Sequence, residues 1–143
     1  MFEYENAQYG FSFSHPDYME VRERPEEDQD FDYLGIKTKF FLSVRDTVHE
    51  EKPYSIALFY SAPGLTLEQF TRALDDSGSD VNIVSSEAVT INGVAMTKIV
   101  STTTMGEDKE HYLFTKGINM FVVSVMIFEN ETVKTFLETF AVK

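Results

Sequence analysis

Apolar and polar residues alternate with a period of two along several stretches of this chain, which is the pattern of half-buried β-strands. The first stretch is Tyr9-Gly10-Phe11-Ser12-Phe13-Ser14-His15-Pro16, where the aromatic residues share one face and a proline ends the run. A second runs from Ile36 to Arg45 and places Ile36, Phe40, Leu42 and Val44 on one face. Further strands are predicted at residues 54–60, 83–91, 94–104, 111–116 and 120–128.

Two of these stretches carry additional information. The run from Met120 to Phe128 is apolar on both faces, which predicts a central strand that is covered on both sides. Asn92-Gly93 separates two alternating stretches and predicts a tight hairpin, because a type I′ turn requires positive φ at both central residues.

Two segments have the periodicity of amphipathic helices. The first covers 66–76 and opens with the capping box Thr66-x-x-Gln69, in which each side chain binds the exposed backbone N–H of the other residue. Its predicted buried stripe is Leu67, Phe70 and Leu74. The second helix is predicted to begin near Asn130, and its stripe consists of Val133, Phe136, Leu137 and Phe140.

The order of these elements predicts the fold class. Strands and helices do not alternate as in βαβ units, so the sheet should be mainly antiparallel. The central apolar strand requires cover on both faces, which favours helices on both sides. We therefore predict one α+β domain over 1–143 with a mainly antiparallel central sheet of about six to eight strands.

Four motifs resemble those of the PsbP-like superfamily. The opening strand Tyr9 to Pro16 is similar to that family's "GFSFxxP" strand, and the other three motifs follow in the same order: Leu67-Glu68-Gln69-Phe70, Val89-Thr90-Ile91-Asn92-Gly93-Val94-Ala95, and the closing helix from Val133 to Phe140. The resemblance implies an α/β/α sandwich. It also implies a protein that binds other proteins or assists assembly, since few members are enzymes. Two departures are the missing tryptophan after the first proline, where Tyr18 stands nearby, and the absence of a lipid-anchor cysteine.

The charge of the chain narrows the choice of partners. Its 143 residues carry 12 basic and 24 acidic side chains, a net charge of −12. Such a domain is expected to repel nucleic acid and anionic membranes, and no stretch is long enough for a membrane span. There is no cysteine, so disulfides and cysteine nucleophiles are excluded. The sequence as it stands predicts a cytoplasmic protein, or a cell-envelope or extracellular one if a leader has been removed.

Half of the acidic excess lies in one segment, between Asp17 and Asp32, where eight acidic and two basic side chains give a local charge of −6. One interpretation is a solvated loop, which is the usual meaning of such a run. The other is a docking patch for a basic protein partner, or a weak divalent-cation site. The residues predicted to bind a partner are Glu26, Glu27, Asp28, Asp30 and Asp32.

Motifs for catalysis or metal binding are incomplete. His15, His49 and His111 have no histidine partner at metal-ligand spacing, and we interpret them as loop or strand residues. The Gly10–Ser14 segment lacks the second glycine of a nucleophile elbow. The polar run from Asp75 to Asp80 departs from calcium-loop spacing and is better explained by a helix end followed by a turn. We predict no catalytic residue, metal ligand or cofactor.

These observations favour a non-catalytic protein-binding or assembly module that is a monomer or a weak homodimer. The alternative is a small-molecule or lipid carrier with an apolar cavity between sheet and helices. A hydrolase with paired carboxylates remains a third hypothesis, because pairing across strands is not visible in a sequence.

Overall fold

The computed structural model describes residues 2–15, 19–24, 31–33, 35–46, 55–76, 81–104, 108–126 and 137–142. Most of these residues form strands, as the alternating stretches predict, and the longest described helix is α1, Leu67–Asp76. The strands in chain order are β1 (Phe2–Asn6), β2 (Phe11–His15), β3 (Met19–Glu23), β4 (Phe31–Tyr33), β5 (Ile36–Thr38), β6 (Phe40–Asp46), β7 (Ser55–Pro63), β8 (Val81–Ile91), β9 (Val94–Thr103), β10 (Asp108–Lys116), β11 (Asn119–Met126) and β12 (Ala141–Val142).

Seven of these strands form the main sheet, in the order β3-β6-β7-β11-β10-β9-β8. A second sheet has the order β1-β2-β12, and β4 pairs with β5 in a separate hairpin. All of these pairings are antiparallel. β11 is the middle strand of the seven, which confirms the prediction from its two apolar faces.

The main sheet buries an apolar cluster on each face. On one face, Phe70 and Leu74 of α1 pack against residues that include Tyr60, Ile99 and Val122. The opposite face is covered by the three-stranded sheet and the chain end. Its aromatic side chains are Phe11, Phe13, Phe40, Phe59, Tyr112, Phe114, Phe121 and Phe140.

The rings of Phe11 and Phe59 join the two sheets. Their centroids lie 3.9 Å apart, and both side chains are almost fully buried. Burial of one such side chain stabilises the fold by about 1.5–3 kcal/mol relative to leaving it exposed. The alternating aromatic residues of the opening stretch therefore form the face of β2 that packs onto the main sheet.

The predicted α/β/α sandwich with helices on both faces is wrong, because the described chain is mostly β and a small sheet covers the second face. β2 pairs with β1 on one edge and with β12 on the other, and one face of β2 is aromatic. Of the predicted closing helix, 130–136 lie outside the described residues. Residues 137–139 form a helical turn, and Phe140 after it is buried.

The predicted strand from Ile36 to Arg45 is divided in two. Ile36 belongs to β5 and faces the α1 cluster, whereas Phe40, Leu42 and Val44 of β6 face the other cluster. The division falls at Lys39, whose backbone N–H donates to the carbonyl of Ser61. Ile36 therefore lies on the opposite face from the one predicted.

The two local turn predictions are confirmed. Thr66 and Gln69 form a reciprocal capping box at the start of α1, with hydrogen bonds of 3.0 and 3.1 Å. Asn92 and Gly93 both have positive φ, 49° and 83°, in the hairpin between β8 and β9. Within the described ranges the helical segments are too short or too polar to cross a bilayer.

Candidate functional site

A surface cleft of about 380 Å³ opens between α1, β5 and the end of β7, and we call it the α1–β5 cleft. Its volume lies within the range of small-ligand sites, about 300–1,000 Å³. Most lining residues are small or apolar, and Lys37 and Gln69 supply the long polar side chains. The lining consists of Gly35, Ile36, Lys37, Ala62, Pro63, Gly64, Leu65, Gln69 and Ala73.

The α1 side of the cleft is fixed by the turn that leaves β7. Gly64 adopts a φ of 74°, a conformation that favours glycine, and its N–H donates to the carbonyl of Ile118 at 3.0 Å. The N–H of Leu65 donates to the carbonyl of Ala62 at 3.3 Å. The capping box then begins α1 and holds the Gln69 side chain at the cleft wall. This wall is therefore pre-formed.

The opposite wall is the β4–β5 hairpin, which connects the cleft to the predicted acidic patch. Asp32 of β4 lies directly opposite Lys37 of β5 in the strand register. The side chain of Asp32 lies outside the described part of the structure, as do Glu26, Glu27, Asp28 and Asp30 entirely. Partner binding by these five residues therefore stays a prediction.

Two large apolar side chains are exposed beside this cleft. Ile118, in the turn between β10 and β11, is 82% exposed, and Leu67, in the first turn of α1, is 39% exposed. Leu67 was predicted to be buried with Phe70 and Leu74, and only those two are buried.

A polar cluster lies buried beneath α1. His111 of β10 is 3% exposed, and its Nδ1 and Nε2 lie 2.7 Å from Ser124 Oγ and 3.1 Å from Ser101 Oγ. In the neutral imidazole one ring nitrogen donates and the other accepts, so both serines satisfy it. The ring of Phe70 packs edge-on against the imidazole, with centroids 5.4 Å apart.

Burial is the main cause of the low pKa of His111, which is about 4, and the nearby positive charge of Lys109 lowers it further. The histidine is therefore neutral at neutral pH. Its role as a strand residue agrees with the prediction, but the serine partners were not predicted. The available signal was Ser124, a polar residue within an otherwise apolar central strand, which requires a hydrogen-bond partner.

A second polar cluster lies on the other face of the main sheet. Lys98 Nζ is 3.2 Å from Glu110 Oε2, and the hydroxyl of Tyr112 donates to the same carboxylate. The pKa of Tyr112 is raised by burial first, then by this hydrogen bond and by the negative charges of Glu110 and Glu87. Two carboxylates, those of Glu110 and Glu87, therefore act on Tyr112 in this part of the sheet.

The structure describes some of the other residues considered as catalytic or metal-binding candidates, and the rest lie outside the described ranges. His15 ends β2, and His49 lies outside the described residues. Ser12 and Ser14 lie within β2, so this segment is a strand rather than a strand-to-helix elbow. Asp75 and Asp76 end α1, and 77–80 are outside the described ranges. Within those ranges, no three His, Asp or Glu side chains converge as metal ligands would.

The arrangement of the two sheets defines the class of fold: this chain has a PsbP-like fold, which confirms the resemblance seen in its motifs. The chain is similar to the solution structure of cyanobacterial PsbP (CyanoP) from Synechocystis sp. PCC 6803, with a TM-score of 0.64. The two share 14% sequence identity, and the match covers 99% of this chain and 91% of that chain. Similarity at this identity establishes the fold alone. No protein-family model and no curated protein matches the chain.

Proposed function

We propose that this protein is a non-catalytic PsbP-like binding module whose partner is another protein, and that the partner docks at the α1–β5 cleft. The observation that supports this most is the position of the cleft. It lies between a fixed helix start and the hairpin that follows the acidic segment. An apolar group of the partner would enter the cleft, and basic groups would meet the carboxylates of Glu26, Glu27, Asp28, Asp30 and Asp32.

Part of the cleft lining supports an apolar anchor. Pro63, Leu65 and Ala73 supply apolar surface beside the polar side chains of Lys37 and Gln69, whereas Ile36 and Ala62 are buried in the α1 cluster. Binding energy at protein interfaces is concentrated in a few apolar or aromatic anchors that fill such pockets. Ile118, whose carbonyl accepts from the N–H of Gly64 in the cleft lining, is a further exposed apolar residue.

Site-specific photo-cross-linking tests the proposal. A photoreactive p-benzoylphenylalanine replaces Ala73, which lines the cleft, and in a matched protein it replaces Ala7, which is exposed in the turn after β1. In cells of the source organism we expect a discrete protein adduct from position 73 and none from position 7. Changing the five acidic residues to their amides is expected to weaken that adduct. Equal adducts from both positions, or none from position 73, would contradict the proposal.

A small-molecule carrier is the second candidate, and the volume of the cleft is the observation that favours it. Among the described residues, the α1–β5 cleft has a volume that would admit such a ligand. Native mass spectrometry of the isolated protein would show an added mass that Ala73→Phe removes and that Ala7→Phe retains. An unmodified mass, together with the adduct described above, would favour the protein partner.

A further inference from the structure

The edge strand β8 has hydrogen-bonding groups that no described strand uses. It ends the main sheet and pairs with β9 along its length except at Val84, while its other edge has no partner strand within the described ranges. In an antiparallel pair, every second residue directs its N–H and C=O away from the neighbour. Such an edge is a template for another strand.

The middle of β8 is accessible from both faces of the sheet. Residues 84–88 are all exposed, and Val84 reaches 64% exposure at a bulge between Ile83 and Ser85. From Ser85 to Ile91 the register with β9 is regular. A run of seven regularly paired residues is long enough to template a strand of ordinary length.

The sequence of β8 lacks the side chains that protect most edges. Natural edge strands carry lysine or proline, which discourage pairing with other chains. β8 contains no lysine, arginine or proline, and its one charged residue is Glu87. The bulge at Val84 interrupts only the first part of the strand.

The charges near this edge favour a cationic partner. Glu87 lies opposite Lys98 in the register, but the ion pair of that lysine is with Glu110, at 3.2 Å. Burial is the main cause of the raised pKa of Tyr112, and the negative charges of Glu110 and Glu87 add to it. The whole chain has a net charge of −12, so a second copy would be repelled.

We propose that β8 binds an extended segment of a basic protein as an additional strand of the main sheet. Main-chain hydrogen bonds along residues 85–91 supply the affinity, and the carboxylates near Glu87 select for lysine or arginine in the added strand. This surface is separate from the α1–β5 cleft, so the inference does not depend on the proposed function.

The test uses two synthetic peptides and NMR of the intact chain. The first is an eight-residue peptide of alternating lysine and valine, and the second has the same sequence with every residue N-methylated. Both carry the same charge, but the second lacks backbone N–H groups along both of its edges. We expect the first to shift the backbone amide resonances of β8 and the second to bind about tenfold more weakly.

Matched substitutions locate the site. Ala88→Lys places a cation on the exposed middle of β8, and Ala7→Lys adds the same charge in the turn between β1 and β2, outside the main sheet. Ala88→Lys is expected to weaken binding of the unmodified peptide by at least about fivefold, and Ala7→Lys is expected to leave that affinity near its original value. Circular dichroism and thermal denaturation would verify that both variants fold.

Three results would overturn the proposal. One is that the unmodified peptide leaves the β8 resonances unshifted. Another is that both peptides bind equally, which would indicate charge attraction without strand pairing. The third is a concentration-dependent dimer of the chain that Ala88→Lys abolishes in analytical ultracentrifugation, which would assign the edge to a second copy.

Discussion

The buried imidazole of His111 makes the stability of this protein depend on pH in a way that can be calculated. The folded state protonates His111 only near its pKa of about 4, whereas the unfolded chain does so near 6.5. Between these values the unfolded state binds more protons, so the free energy of unfolding falls as the pH is lowered. The contribution of the neutral imidazole to the free energy of unfolding is fully present above about pH 6.5, and it is lost progressively as the pH falls towards about 4.

The expected loss between about pH 7 and about pH 5 is roughly 2 kcal/mol, from the two protonation equilibria alone. Replacing His111 with glutamine removes the titration but keeps polar groups near Ser101 and Ser124. At neutral pH we expect His111→Gln to lower the free energy of unfolding by about 1–3 kcal/mol, because the hydrogen bonds are not reproduced in full. Between the two pH values the variant should lose about 2 kcal/mol less than the original protein.

Urea denaturation followed by far-ultraviolet circular dichroism measures these differences, since the chain has no tryptophan for fluorescence. Ile99→Val is the matched control. Ile99 lies opposite His111 in the register and is fully buried, and losing one methyl group there costs about 0.5–1.5 kcal/mol without changing a titratable group. Its pH dependence should parallel that of the original protein. An identical pH dependence in His111→Gln, or an NMR titration of His111 with a midpoint near 6.5, would refute the reasoning.

Three further changes have expected outcomes. Asn92→Gly keeps the positive φ of the hairpin but loses the amide's hydrogen bonds to the carbonyls of the chain end, so thermal denaturation should show a loss of about 1–3 kcal/mol. Thr66→Ala removes half of the capping box and should cost about 1 kcal/mol in urea denaturation, with Thr71→Ala, later in α1, costing less. Phe11→Ala should cost about 3–5 kcal/mol in the same assay, and a loss below about 1 kcal/mol would contradict the contact with Phe59.

Features decided by nearby residues could be predicted from the sequence. The capping box involves residues three apart, and the hairpin requires only that Asn92 and Gly93 tolerate positive φ. The central position of β11 followed from a property of one strand, namely apolar residues on both faces. In each case the residues that determine the structure lie within one short segment.

The cover of the second sheet face could not be predicted in this way. β12 is two residues long, so it has no periodic pattern of its own. It forms because Ala141 and Val142 pair with Ser12 and Phe11, which lie near the other end of the chain. The α1–β5 cleft could not be predicted either, because it requires that β5 is separate from β6 and that Ile36 lies on the α1 face of the sheet.

Three of the four motifs that carried the family resemblance meet at one place in the fold, which explains why their order was informative. The opening strand contributes Phe11, which stacks near Phe140 of the chain end at 6.0 Å, and it pairs with β12. The hairpin contributes Asn92, whose amide donates to the carbonyls of Leu137, Glu138 and Phe140. Each motif is a weak signal alone, but these three form a single packing unit on one face of the main sheet, whereas the Leu67–Phe70 motif belongs to α1 on the other face. They therefore specify the fold, whereas the α1–β5 cleft and the β8 edge lie mainly outside them and carry the proposed binding.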